Sequence, residues 1–334
     1  MKRVIRVLSI GILVLVLLGG GAGAGLFFWA KGQYEGEGPM ALEGDQTVVL
    51  LPHGTGLKRI AATLHDAGVI TNPRIFEIGV RLAGNGNLLK AGEYGIPSGT
   101  SMEEIAAILI EGKSILYKLT APEGRTTAQI LRIVAADDVL VGDITLTPEE
   151  GVLLPQTYLF TRGMTRDELI QKMMDDMQEV LVPLWNERAD ELPFDSMEEA
   201  VILASIVEKE TGIPEERPRI AAVFVNRLNK GMRLQSDPTI IYGLTKGEPL
   251  GRGIRLSELR RQTAYNTYHI DGLPPTPIAN PGIDSLKAVL NPPETKELFF
   301  VADGTGGHVF AKTNREHNRN VQKWRKVERE RRSK

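Results

Sequence analysis

From Val7 to Ala30 the chain carries no charged residue, and Lys2, Arg3 and Arg6 stand just before that run. The run is 24 residues long, and about 20 apolar residues span a bilayer as a helix. A segment of this kind has no place in a water-facing globular core, so residues 1–30 are set apart as a cytoplasmic tip and membrane anchor. The basic flank keeps the N-terminus in the cytoplasm and puts everything after Lys31 on the far side of the membrane. Ala22-Gly23-Ala24 also resembles a small-residue cleavage site, so a cleaved signal peptide is the competing reading. The apolar run continues through Leu26-Phe27-Phe28, and Trp29 suits the outer membrane interface, which favours the anchor.

Beyond the anchor the chain reads as an ordinary globular protein, with 42% hydrophobic and 25% charged residues among 334. A net charge of −2 gives no case for a nucleic-acid binder. The strongly basic end, Lys323–Lys334, reads as a solvated helix terminus. With no cysteine, disulfides and thiolate chemistry are excluded. No GxSxG elbow, P-loop or CxxC occurs. His53, His65, His269, His308 and His317 lack metal-ligand spacing, so no metal or cofactor is expected.

Residues 31–45, with Gly32, Gly36, Gly38 and Pro39, read as a linker. A small α+β module is expected over 46–120, with strands at Thr47–Leu51, Gly92–Ile96 and Ile115–Leu119. Its helices are placed at Leu57–Ala67, at Pro73 to about Leu82, and after a capping box of Ser101 and Glu104. Strand, helix, helix, strand over about fifty residues resembles a LysM-type glycan-binding module; a structural spacer is the alternative. A mixed domain fills 121–334, with helices expected at Thr126–Ala136, at Thr165–Leu181 and through Asp195–Asn229.

Within that domain, Asp195–Gly212 puts an ionisable carboxylate where a helix should be dry. Ser196 with Glu199 forms a capping box. On a 3.6-residue repeat Ala200, Leu203, Ala204 and Val207 form an apolar stripe, widened by Ile206. Glu210 falls inside this arc, Glu198, Ser205 and Lys209 mark the solvated side, and Glu208 sits at the edge. Desolvation and the negative helix end, terminated at Gly212, should both raise the pKa of Glu210. A carboxyl partly protonated near neutrality is what a general acid requires. A structural pair with an arginine is the other reading.

Downstream, Arg233–Thr239 contains Asp237-Pro238, which starts a short helix ending at Gly243, so Asp237 reads as its N-cap. Thr263–Tyr268 interleaves aromatics with amides and hydroxyls, a mixture that suits sugars. Gly272–Pro275 and Ile278–Gly282 are loops stiffened by proline. Two strands, Leu298–Ala302 and one around Val309, flank a tight turn at Asp303–Gly307. A capping box of Thr313 and Glu316 then opens the last helix.

The ordered motifs L-A-S-I-V-E-K-E-T, N-R-L, G-M-R-L-Q-S-D-P-T, I-I-Y-G, T-A-Y-N-T-Y, G-L-P-P, I-A-N-P-G and F-V-A-D-G-T-G-G-H resemble the membrane-anchored endolytic murein transglycosylases (the MltG, or YceG-like, proteins). The resemblance runs from the anchor to about Lys326. It implies an α+β fold with an N-terminal transmembrane helix, a LysM-like module and a mixed catalytic domain carrying a lysozyme-like catalytic helix. It further implies cleavage of the MurNAc–GlcNAc bond of nascent peptidoglycan without water, leaving 1,6-anhydroMurNAc ends and helping to terminate strand elongation.

The family's catalytic glutamate, the second of E-K-E, falls on Glu210, with Thr211 where lytic transglycosylases more broadly carry Ser. One carboxyl suffices there, because the MurNAc 6-hydroxyl replaces the nucleophilic carboxylate of a retaining glycosidase. The substrate-binding candidates are Gln235, Ser236, Asp237, Tyr265, Asn266 and Tyr268, Asp237 alternatively being an oxocarbenium stabiliser. Implied partners are peptidoglycan glycan strands, inner-membrane lipid and peptidoglycan synthases, with the catalytic domain in the periplasm. A muramidase and a non-catalytic peptidoglycan scaffold are the competing functions.

Overall fold

The computed structural model describes residues 20–21, 23–52 and 54–332. Most of the apolar run, residues 7–19 and Ala22, lies outside the described residues, as does His53. Among the described residues no helix is long and apolar enough to cross a membrane. The chain divides into two compact units, residues 1–117 with 160–163, and residues 118–159 with 164–334.

In the first unit, helix α1 (23–35) extends into the stretch whose glycines read as a linker. Strand β1 (Gln46–Leu51) pairs antiparallel with β2 (Gly92–Pro97), in a register that sets Val49 opposite Tyr94. Between them come α2 (Leu57–Asp66) and α3 (Pro73–Leu82), and after them α4 (Met102–Glu111). The expected strand, helix, helix, strand order is therefore present. Asn72 caps α3 by accepting from the Arg74 and Ile75 amides, and both bonds of the Ser101–Glu104 capping box form. Alternation on β1 turns Val49 and Leu51 inward onto Leu64, Phe76, Val80 and Leu109.

Strands β3 (Leu116–Thr120) and β4 (Thr157–Thr161) pair with each other, and the division between the units falls within both. The second unit is mainly helical: α5 (Thr127–Ala135), α6 (Arg166–Asn186), α7 (Met197–Glu210), a 3-10 turn (Pro214–Glu216) and α8 (Arg217–Asn229). These are followed by α9 (Asp237–Thr245), α10 (Leu256–Leu259) and α11 (Ile283–Leu290). The antiparallel strands β5 (Phe299–Ala302) and β6 (His308–Ala311) precede α12 (Asn314–Arg332). Helix α6 runs past its expected end at Leu181, carrying Pro183 inside it.

Helix α7 is the centre of this unit. It packs against α6, α8, α9 and α11, and every residue from Ala200 to Glu208 is buried. The amphipathic reading of this helix is therefore wrong. Ser205, expected on the solvated side, is completely buried, donating to the Ile202 carbonyl at 2.7 Å and accepting from the Ile278 amide at 3.0 Å. Each polar side chain on the dry helix has instead been matched to a partner.

Candidate active site

The two glutamates at the end of α7 have opposite surroundings. Glu208, expected at the edge, is buried. One of its oxygens lies 3.1 Å from Arg217 of α8, and the other accepts from Ser285 Oγ at 2.6 Å and the Gly282 amide at 3.1 Å. Arg217 also bonds Glu123 at 3.0 Å. This buried ion pair ties α7, α8 and α11 together, although Arg217 Nε itself has no hydrogen-bond partner. The buried-glutamate alternative considered for Glu210 thus describes its neighbour two residues earlier.

Glu210 lies beyond this clamp, half-buried at the helix end. Thr211 turns abruptly extended (φ −139°, ψ 137°) and caps the helix, so Gly212 is not the terminator the sequence suggests. Glu210 Oε1 accepts from Ser236 Oγ at 2.5 Å. Its pKa is pushed from 4.5 up to about 7. Burial is the main cause, and the nearby negative charge of Asp237 acts in the same direction. The Ser236 hydrogen bond, His308 and Arg227 pull it back down. A carboxyl in this state is populated in both its acid and its base form near neutral pH.

Ser236 is held from beneath. Its amide donates to Thr267 Oγ1 at 2.9 Å, Thr239 Oγ1 donates to its carbonyl at 2.7 Å, and all three residues are buried. The preceding Gln235 is exposed, and its backbone sits in the left-handed region (φ 51°), where a residue with a Cβ is uncommon. Its amide donates to the Thr267 carbonyl at 3.1 Å. Ser236, not Asp237, is the N-cap of α9. Asp237 instead leaves its carboxylate exposed, accepting from Tyr268 Oη at 2.8 Å. Burial first, then the charge of Asp237, raises the Tyr268 pKa, so the phenol stays protonated as that donor. Helix α9 also continues beyond Gly243, ending where Lys246 takes a left-handed conformation (φ 55°).

Glu210, Ser236, Asp237 and Tyr268 are therefore brought together, with Gln235 on the adjoining loop. Two candidates are not. Asn266 is buried and spends its amide on the carbonyls of Leu259 (3.0 Å) and Arg261 (2.7 Å), while its oxygen accepts from the Tyr268 amide. It shapes the loop that carries Tyr268. Tyr265 bonds Thr276 Oγ1 at 2.9 Å and packs on Tyr242, ring centroids 5.1 Å apart, lining a cavity of about 680 Å³ to which Glu210 does not contribute.

Sequence reasoning missed a second cluster beside Glu210. His308 Nδ1 lies 2.7 Å from Glu216 Oε2, the His308 amide donates to the other oxygen at 2.7 Å, and Thr211 Oγ1 donates to Glu216 at 3.3 Å. Burial would raise the Glu216 pKa, but these bonds outweigh it and hold it below the usual carboxylate value. The available signal was His308 closing the D-G-T-G-G-H turn. Arg227 was also passed over; it is buried and donates to the Leu298 carbonyl at 2.6 Å and the Leu234 carbonyl at 2.7 Å.

In this mixed α+β protein, a helix-end carboxyl poised between its acid and base forms, next to an exposed second carboxylate, is chemically able to give and to take a proton near neutral pH. The YceG-like family model matches residues 49–323, and the chain belongs to that family. It is 30% identical over 332 residues to the endolytic murein transglycosylase of Bacillus subtilis, covering 90% of each chain. It is 32% identical over 323 residues to the protein of the same name from Streptococcus pneumoniae serotype 2, covering 81% of this chain. The chain spans 57% of the length of that pneumococcal relative. A crystal structure of a YceG-like protein from Listeria monocytogenes aligns with TM-score 0.50 at 30% identity, over 82% of this chain and 98% of that one.

Proposed function

We propose that this chain is an endolytic lytic transglycosylase that cleaves the MurNAc–GlcNAc bond of peptidoglycan and uses Glu210 as its only proton-transfer group. The observation that carries the reading is Glu210 itself, a half-buried carboxyl with a pKa of about 7, in a chain whose relatives bear that enzyme's name. In its acid form Glu210 protonates the leaving glycosidic oxygen as the C1–O bond breaks. The MurNAc 6-hydroxyl then closes on C1, and the Glu210 carboxylate takes the hydroxyl proton. The proton lost in the first step is regained in the second, and no water is consumed.

Ser236 steers the carboxyl through its hydrogen bond. Asp237, free of a capping role and oriented by Tyr268, places negative charge where an oxocarbenium ion would develop. Gln235 offers an exposed amide to sugar hydroxyls and N-acetyl groups. The 46–120 module positions glycan in the manner of LysM domains, and the Val7–Ala30 run anchors the protein in the inner membrane with both units in the periplasm, within reach of nascent strands and their synthases.

The exposed carboxylate of Asp237 supports a second reading, a muramidase in which Asp237 is the nucleophile and water completes hydrolysis. Mass spectrometry of uncrosslinked glycan strands treated with the full chain, wild type beside Glu210→Gln, separates the two. Anhydro-ended products from the wild type alone support the transglycosylase. Reducing ends from the wild type mean hydrolysis, and equal products from both proteins remove Glu210 from the mechanism.

A further inference from the structure

Helices α1 and α3 of the first unit lie side by side along an apolar seam. Tyr34 of α1 rests its ring on Gly79 of α3 so closely that a Cβ at position 79 would meet the ring at 2.3 Å. Ala30 and Tyr34 pack on the core that includes Ile75 and Phe76, which fixes α1 to the unit. Toward the N-terminal end of α1 the seam opens into a cleft of about 240 Å³ walled by Phe27, Ile78 and Leu82 among others. Ile78 is 56% exposed and Leu82 is 74% exposed. On α1, Phe27, Phe28 and Trp29 are also more than half exposed.

Single exposed apolar residues are ordinary on protein surfaces. Here, however, Ile78 and Leu82 share one wall with the last residues of a run of 24 uncharged residues. We propose that the outer face of α3, at the end nearest the anchor, is a lipid-docking surface: Ile78 and Leu82 enter the bilayer interface beside Phe27. The inference rests on the anchor reading of Val7–Ala30. Three features identify lipid as the occupant. The run that ends at Ala30 delivers α1 to the membrane boundary. Trp29 is of the type enriched at that depth. The exposed Arg74 stands one turn before Ile78 on α3, where it meets phosphate groups, while Lys31 and Arg81 are paired with Glu35 at 3.5 Å and Glu77 at 2.7 Å on their own helices. A module held by both the anchor and α3 cannot swing freely on its tether, so the first unit stays at the membrane surface.

The absence of cysteine makes the test clean. The full chain is reconstituted at one copy per lipid nanodisc, with single cysteines bearing an environment-sensitive fluorophore at Ile78, Leu82, Phe28 or Val48. Val48 is exposed on the face of β1 opposite the core and serves as the water control. Blue-shifted emission at 78 and 82, quenched by lipid-borne nitroxides as at 28 but not at 48, is the expected result. Labels at 78 and 82 that behave like 48 while 28 is quenched overturn the proposal and leave the face to a protein partner. Protection that appears only with two copies per disc assigns the face to self-association and also overturns it. If 28 is unquenched as well, the anchor reading itself fails and the docking surface falls with it.

Discussion

Replacing Glu210 with glutamine should abolish glycan cleavage and, above neutral pH, make the protein more stable. The glutamine keeps the shape and can still accept from Ser236 Oγ, the bond that measures 2.5 Å, but it has no charge to bury. The folded-state pKa of about 7 exceeds the unfolded value of 4.5, so the native state holds its proton more tightly. Stability from this group is therefore fully present below pH 4.5 and is lost as pH rises through 7. The difference between those two values corresponds to about 3 kcal/mol, an upper bound for a half-buried group. For a unit of this size 1 kcal/mol moves Tm by roughly 2–4 °C. Thermal unfolding of the full chain in detergent, wild type against Glu210→Gln, should show matching Tm values at pH 4. At pH 8 the variant should be higher by several degrees. Most other acids titrate equally in both proteins and cancel. Identical Tm differences at the two pH values would refute a raised Glu210 pKa, whatever happened to activity.

Four further outcomes follow from the same geometry. Cleavage rate against pH should fall as pH rises through about 7, because the acid form of Glu210 is lost; a flat profile to pH 9 would disconnect that carboxyl from the rate. Ser236→Ala removes a bond that lowers the Glu210 pKa, so the alkaline limb of kcat/KM should move to higher pH while the rate falls; an unmoved limb would sink the coupling. Arg217→Met leaves Glu208 buried without its counter-ion and should cost about 3–5 kcal/mol, read as a Tm drop; a change below 1 kcal/mol would mean the clamp is not structural. Asn266→Ala should cost about 1–3 kcal/mol by orphaning loop carbonyls, and the surviving folded protein should keep a KM near that of the wild type; a selective rise in KM would return Asn266 to the substrate contacts.

The elements of the first unit were legible because their signals are local. Asn72-Pro73 and Ser101 with Glu104 satisfy the free amides of a first turn using side chains only two or three residues away, and both caps form as read. The phase of α7 was not legible from its own residues. An amphipathic stripe assumes that one face meets water, whereas α7 is enclosed by four other helices, so Ser205 and Glu208 find partners 73 and more residues away in the chain. Glu210 was singled out through a premise about the solvated face that does not hold. Its position beyond the last buried turn, not its place in an apolar arc, sets it apart. The same limit explains the downstream candidates. Composition marked Thr263–Tyr268 as one stretch, but alternate residues along an irregular loop point different ways, so Tyr268 reaches Asp237 while Asn266 faces the loop's own carbonyls.

The two glutamates of E-K-E divide a structural clamp from the chemistry proposed for Glu210. A carboxylate whose oxygens are already taken by donors has little left to offer a reacting group. Glu208 has an arginine, a hydroxyl and a backbone amide; Glu210 has one hydroxyl and a like charge nearby. The clamp at Glu208 fixes the final turn of α7, and a fixed turn is what allows a half-buried carboxyl two residues later to be presented with few partners. Weakening the clamp should thus reach the chemistry indirectly. Glu208→Gln, if it folds, should loosen the turn, hydrate Glu210 and bring its pKa down toward 4.5. The alkaline limb of the pH profile would then shift to lower pH, the opposite of the Ser236→Ala result. A Glu208→Gln profile that fell in amplitude but kept its midpoint would show that the clamp sustains the fold without setting the protonation of Glu210.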